Sequence, residues 1–228
     1  MIFSTGQLIA LSGIDGAGKS TQIELLIQDL RERGKNPFYL WTRGGYTGPF
    51  NTLKILLRGI IGKKLPPPGR NDERDKVFKK KWVRNLWLTL AILDLMLVYG
   101  FYVRVSRAFG RIVIADRYLW DTWIDFRLNF PDTDFAQWVL WKIFVRISPK
   151  PDAAFLLLIT VEESLHRSKL KNEPFPDSEK VLNQRLELYT ELSGQHKIDT
   201  IDCLQEIDIV HKEITNCLTN ENKSSITA

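Results

Sequence analysis

Gly13-Ile14-Asp15-Gly16-Ala17-Gly18-Lys19-Ser20 is the stretch whose reading decides the fold of this chain. Its three glycines let successive backbone N–H groups converge on one point, which suits the oxygens of a phosphate. In this G-x-x-x-x-G-K-S spacing Lys19 reaches toward β- and γ-phosphates and the Ser20 hydroxyl toward Mg2+, with Asp15, Ala17 and Thr21 completing the cradle. Both flanks fit the motif. Residues 7–12 (Gln-Leu-Ile-Ala-Leu-Ser) are a short apolar run that predicts a buried parallel strand. Residues 20–33 set Ile23, Leu25, Leu26, Ile27 and Leu30 against polar neighbours, which predicts an amphipathic helix closed by Gly34. The helix would turn its positive N-terminal end toward the bound phosphates.

Outward from the loop, apolar runs recur at 38–41, 112–115, 153–159 and, weakly, 198–201, with helical patterns between them. Strands alternating with helices make βαβ units. The expected fold is therefore α/β: a three-layer α/β/α P-loop NTPase domain over residues 1–220, with a central parallel sheet of about five strands. The stretch from Gly44 to Gly110 is long for a crossover. It holds a helical pattern at about 51–61, a break at Pro66-Pro67-Pro68-Gly69, and a long helical pattern from about 73, so residues 46–90 read as a helical insert. Residues 221–228 read as a flexible tail.

Apolar residues make up 44% of the 228 and charged residues 26%, an ordinary globular balance that excludes a disordered chain. The net charge of +5 suits an anionic substrate, a nucleic acid or an anionic membrane surface without choosing among them. Cys203 and Cys217 have no metal-ligand spacing and read as free thiols of a cytoplasmic protein. The first residues lack a basic leader and read as the approach to the first strand. Leu86–Val103 is 18 residues long and apolar enough to reach across a bilayer. Asp94 at its centre would cost about 2.5–3.5 kcal/mol there, so the run reads as a buried helix and not as a span. Lys79, Lys80, Lys81 and Arg84, interleaved with Trp82 and Trp87, are either a solvated helix end or a footprint on an anionic membrane or polyanion.

Several separated pieces resemble the thymidylate kinase family, in its order and over nearly the whole chain. They are the loop in its form Gly-Ile-Asp-Gly-Ala-Gly-Lys-Ser-Thr, Thr42-Arg43-Gly44-Gly45-Tyr46-Thr47, and Asp116-Arg117-Tyr118 after the run 112–115. Pro151-Asp152 before the run 153–159, Glu162-Glu163 leading to Arg167, and the helix 179–192 continue the series. The resemblance implies that Arg43 and Arg117 hold the acceptor's phosphate beside Asp15, and that Asp116 helps Ser20 organise Mg2+. An arginine fork does bind phosphate oxygens in pairs, and a carboxylate at a strand's carboxyl end faces the ligand crevice. Some members carry an arginine inside the phosphate loop. Here that place is Gly16, so the charge over the moving group must come from the lid at about 166–178, where Arg167 is the candidate and Lys171 its helper.

Counted back from Asp116, the places where the family stacks and reads the base hold Ala91 and Leu95, which can do neither. Asp121 and Asp125, four apart, share one helix face. They are either two solvated acids or acceptor-side groups that take hydrogen bonds from hydroxyls or amines. The resemblance also implies a homodimer paired through helices and no nucleic acid partner. Three functions follow. The first is an ATP-dependent kinase acting on a nucleoside monophosphate, nominally dTMP. The second is the same donor half with another acceptor: nucleotide, nucleoside or sugar phosphate. The third is a nucleotide-binding regulator on a membrane surface, a peripheral and not a spanning contact.

Overall fold

The computed structural model describes residues 6–43, 78–172 and 176–226. Among them five strands, β1 (Leu8–Ser12), β2 (Pro37–Trp41), β3 (Ile112–Asp116), β4 (Ala153–Leu158) and β5 (Asp199–Asp202), form one sheet. Its order is β2-β3-β1-β4-β5 and every neighbouring pair is parallel. The expected sheet of about five parallel strands is present, each within a residue or two of its apolar run. The reason is burial on both faces: all five residues of β1 and all five of β3 are buried, so the strands read as continuous apolar runs.

The helices are α1 (Lys19–Glu32), α2 (Lys81–Leu95), α3 (Arg104–Ala108), α4 (Leu119–Asn129), α5 (Val139–Ile147), α6 (Val161–Leu170), α7 (Glu179–Gln195) and α8 (Ile207–Ile226). They cover the sheet as two layers. Ile9, Leu11, Ile114, Phe155 and Leu157 look toward α1, α7 and α8, whose Leu26, Tyr189 and Ile214 meet them. Leu8, Ala10, Val113 and Ala115 look the other way, toward Leu88, Ile92, Tyr99, Phe126 and Phe144. Regular structure in α8 continues to Ile226, six residues into the stretch whose composition suggests a tail. The helical pattern at 51–61, the proline break and Gly44–Thr47 lie outside the described residues.

α2 continues through a π-helical stretch, Met96–Val103, into α3, giving one rod of 28 residues from Lys81 to Ala108. Ala91, Leu95, Tyr99 and Val103 recur every four residues and are fully buried against the sheet. Each aliphatic side chain so buried contributes roughly 1.5–3 kcal/mol. The rod is long and apolar enough to cross a membrane, but its inner face is spent on the core, with 39% of the most apolar window buried in the protein. Ala91 and Leu95 are thus core residues, which is why they carry no base-reading chemistry.

Candidate active site

β1 is flanked by β3 on one side and β4 on the other, so the chain's direction across the sheet reverses there. Open α/β sheets bind ligands in the crevice at such a point, outside the carboxyl ends of the strands. The phosphate loop leaves β1 into this crevice, Asp116-Arg117 leaves β3 beside it, and α6 follows β4 on the other side.

The loop is held close on both flanks. Gly13 has φ 145°, and a Cβ there would lie 2.5 Å from the Leu157 carbonyl oxygen on β4, so no other residue fits. Lys19 is buried and folds back, its Nζ donating to the carbonyl oxygens of Gly13 and Ile14, both at 2.9 Å. Burial, with Arg117 adding to it, pulls its ammonium down to about 8 against the opposing pull of Asp15, Asp116 and Asp121. The loop is bound to α6 as well. Ser164 Oγ donates to the Asp15 carbonyl at 2.6 Å, and Arg167 Nη1 to the Gly16 carbonyl at 3.1 Å. Gly16 has φ 80°, and a Cβ there would already touch Arg167 Cβ and Ser164 at 3.4 Å. Arg167 is further fixed by Glu163 Oε1 at 2.6 Å and the Cys203 carbonyl at 3.2 Å.

On the β3 side Arg117 has φ 73°, a left-handed backbone that costs a side-chain-bearing residue about 1–3 kcal/mol. Its guanidinium grips the Asp15 carboxylate and lies 3.8 Å from Asp121. Burial opposes the ionised form of Asp15, but Arg117 and Lys19 outweigh it and lower the carboxyl below its ordinary range. Asp116 has one oxygen held by the Tyr39 hydroxyl at 3.0 Å, while Oδ1 is buried with no hydrogen-bond partner.

Asp121 is fully engaged. Its oxygens accept from Ser12 Oγ at 2.7 Å, the Tyr118 N–H at 2.9 Å and the Tyr189 hydroxyl at 2.5 Å. Asp125 is also buried and joins two arginines, Arg185 at 2.6 Å and Arg43 at 3.2 Å. Burial pushes its carboxyl up, yet Arg185, Arg43 and Arg117 together hold it at about 2. Neither acid is solvated: the shared helix face of Asp121 and Asp125 meets a shared face of α7, where Arg185 and Tyr189 are also four apart.

Lys19, Arg117, Asp15, Asp116, Asp121, Asp125 and Arg43 therefore converge at one edge, and Arg167 joins them from α6. Ser20 and Thr21 occupy the first turn of α1, Ser20 exposed. Lys171, exposed at the carboxyl end of α6, is one predicted residue not drawn into this network; residues 173–175 lie outside the described ones. Arg185 and Tyr189 were not anticipated: their spacing of four is visible, but its complement lies 60 and 68 residues away.

The donor set suits a hydrated divalent ion. Asp116 Oδ1 is an orphaned carboxylate oxygen at the end of β3, and a cleft of about 690 Å3 along α1 reaches both Ser20 and Tyr39. Among the described residues no cluster of His, Cys, Asp or Glu could hold a metal alone, so such an ion would draw further ligands from phosphate and water.

Thymidylate kinases are similar to this chain over almost its full length. That of Desulfotalea psychrophila is 30% identical over 213 residues, 92% of this chain and 92% of the relative. That of Ruegeria pomeroyi is 27% identical over 227 residues, covering 96% and 98%. Among solved structures, a deoxyadenosine kinase from M. mycoides, with the products dCMP and a flexible dCDP bound, superposes with a TM-score of 0.59. It covers 94% of this chain and 100% of its own at 16% identity, a likeness of fold. No family model matches.

Proposed function

Because the chain belongs to the thymidylate kinase family and is a nucleoside monophosphate kinase, we propose that it transfers the γ-phosphoryl group of ATP to dTMP, giving dTDP and ADP. One observation carries this reading: Lys19, Arg117 and Arg167 converge on a single glycine loop at the carboxyl edge of the sheet.

In this reaction an oxygen of the acceptor's phosphate attacks the γ-phosphorus, and the bond from that phosphorus to the β-bridging oxygen breaks, its electron pair leaving with ADP. The attacking oxygen is already an anion, so no general base is required. The protein's task is to position two anions and offset the charge that gathers between them. Lys19 exchanges the carbonyls of Gly13 and Ile14 for phosphate oxygens. Arg117 and Arg43 hold the acceptor's phosphate, with Asp15 keeping the Arg117 fork turned into the crevice. Arg167 is fixed to Gly16, where a guanidinium faces the transferred group, and Lys171 adds charge when the end of α6 closes. Ser20 and Asp116 would hold Mg2+, which supplies further charge neutralisation on the phosphates when bound.

Asp121 and Asp125 act on the acceptor through their partners: Asp125 orients Arg43, and Asp121 lies behind Arg117. The acceptor's base is read elsewhere than at Ala91 and Leu95. The burial of both those positions in the core favours a second reading, in which the same transfer serves a nucleotide other than dTMP.

ADP formation with ATP and Mg2+, across wells of dTMP, dUMP, other nucleoside monophosphates, thymidine and sugar phosphates, tests both. Turnover highest with dTMP and absent in Lys19→Ala supports the first reading. Turnover on another nucleotide replaces the acceptor, and silence in every well refutes the proposal.

A further inference from the structure

We propose that Tyr39 is a positioning residue for the metal-side carboxylate: its hydroxyl fixes one oxygen of Asp116 and so presents the other to Mg2+ beside Ser20. The inference rests on the reading of Asp116 and Ser20 as the ion's partners. It is independent of which nucleotide accepts the phosphoryl group.

Sheet register brings the two side chains together. β2 is an edge strand, and its residues alternate between the two faces. Phe38 and Leu40 turn toward the layer of Leu88 and Ile92, while Tyr39 turns the other way and lines the cleft along α1 with Ile23 and Ile27. In the parallel pairing Tyr39 stands opposite Ile114 and Trp41 opposite Asp116. Asp116 therefore lies two places beyond the partner of Tyr39, on the same face. Across that diagonal the phenol donates to Asp116 Oδ2 at 3.0 Å.

Packing alone does not account for a tyrosine at this place. Tyr39 is 45% exposed, on an edge strand beside an open cleft, where water could satisfy its hydroxyl. The hydroxyl is turned instead onto a buried carboxylate. The asymmetry of that carboxylate is the second observation. Oδ2 is held, and Oδ1 is buried with no hydrogen-bond partner. The terminal torsion of an aspartate is broad and nearly two-fold, so an untethered Asp116 would exchange its two oxygens. A buried polar atom left unpaired calls for a partner that the protein itself does not supply, an ion among them. The cleft indicates which, since Tyr39 and Ser20 both line it. Carboxylates that bind metals are commonly held from behind in this way, and the holding residue tunes affinity without touching the ion.

Mn2+, whose free ion is counted by its EPR signal, stands in for Mg2+ in the test. The full chain is mixed with an equal amount of ADP, above the Kd for ADP, and titrated with Mn2+. Tyr39→Phe keeps the ring and removes only the hydroxyl, and it should weaken Mn2+ binding about tenfold. Its Kd for ADP in EDTA and its Tm should match the wild type, which separates a role at the ion from one in the fold. Asp116→Asn is the reference and should weaken Mn2+ binding at least as much. Equal Mn2+ binding by Tyr39→Phe and the wild type, with Asp116→Asn impaired, overturns the proposal and leaves Asp116 as the ion's partner. Unimpaired binding by Asp116→Asn, or none by the wild type, overturns both. An equal loss of ADP affinity in EDTA by Tyr39→Phe marks the hydroxyl as part of the cradle's structure and likewise overturns the proposal.

Discussion

Lys19 sits in the cradle as its own temporary occupant, its ammonium bonded to the loop's carbonyls and pulled down to about 8 by burial and Arg117. A phosphate in the cradle favours the charged form, so nucleotide binding takes up a proton wherever free Lys19 has lost one. Affinity is therefore level below about pH 8 and falls as pH rises above it, by at most about tenfold per unit. Calorimetry at pH 8.5 in two buffers of different ionisation enthalpy reads the uptake directly. Equal heats, with a flat Kd up to pH 9.5, would contradict it. The loop and Lys19 were legible from the chain because the whole motif is local: eight consecutive residues carry it. The use of Gly16 was half legible. Its missing side chain announced that charge must arrive from elsewhere, but only the packing of α6 shows Arg167 against that glycine.

Between elements the decisive contact is α4 on α7. Asp125 and Arg185 form a buried ion pair at 2.6 Å, with Arg43 on the other carboxylate oxygen. Removing one member of such a pair leaves the other charge uncompensated. Asp125→Asn should therefore lower stability by about 3–5 kcal/mol in urea unfolding. It should also loosen Arg43 and raise KM for the acceptor more than for ATP. A urea midpoint unchanged within error would refute the pair's role. The same carboxyl titrates at about 2 when folded and near 3.8 when free, so its contribution is complete above about pH 4 and is lost as pH falls toward 2. β1, β3 and β4 were readable in sequence because burial on both faces makes them continuous apolar runs, whereas β5, a half-exposed edge strand, left only a weak one. The α4–α7 pairing was not, because two helices each showing polar residues four apart give no sign that they meet. That Ala91 and Leu95 cannot read a base was legible from their chemistry, and their full burial against the sheet gives the structural reason.

For the molecule as a whole, the phosphate loop ties β1, β4 and α6 together, so a ligand that organises it should stabilise the entire domain. ATP with Mg2+ at a hundred times its Kd should raise Tm by about 5–10 °C in a chain of this size, and Lys19→Ala should abolish the shift. A scanning melt of the two proteins decides it. The five strands all point one way, so the chemistry sits at a single edge of the sheet, while the outer helices lie along the strands' flank. Donor and acceptor therefore share one doorway: whatever covers that edge shuts out both nucleotides at once, whereas a contact on the flank leaves both approaches open.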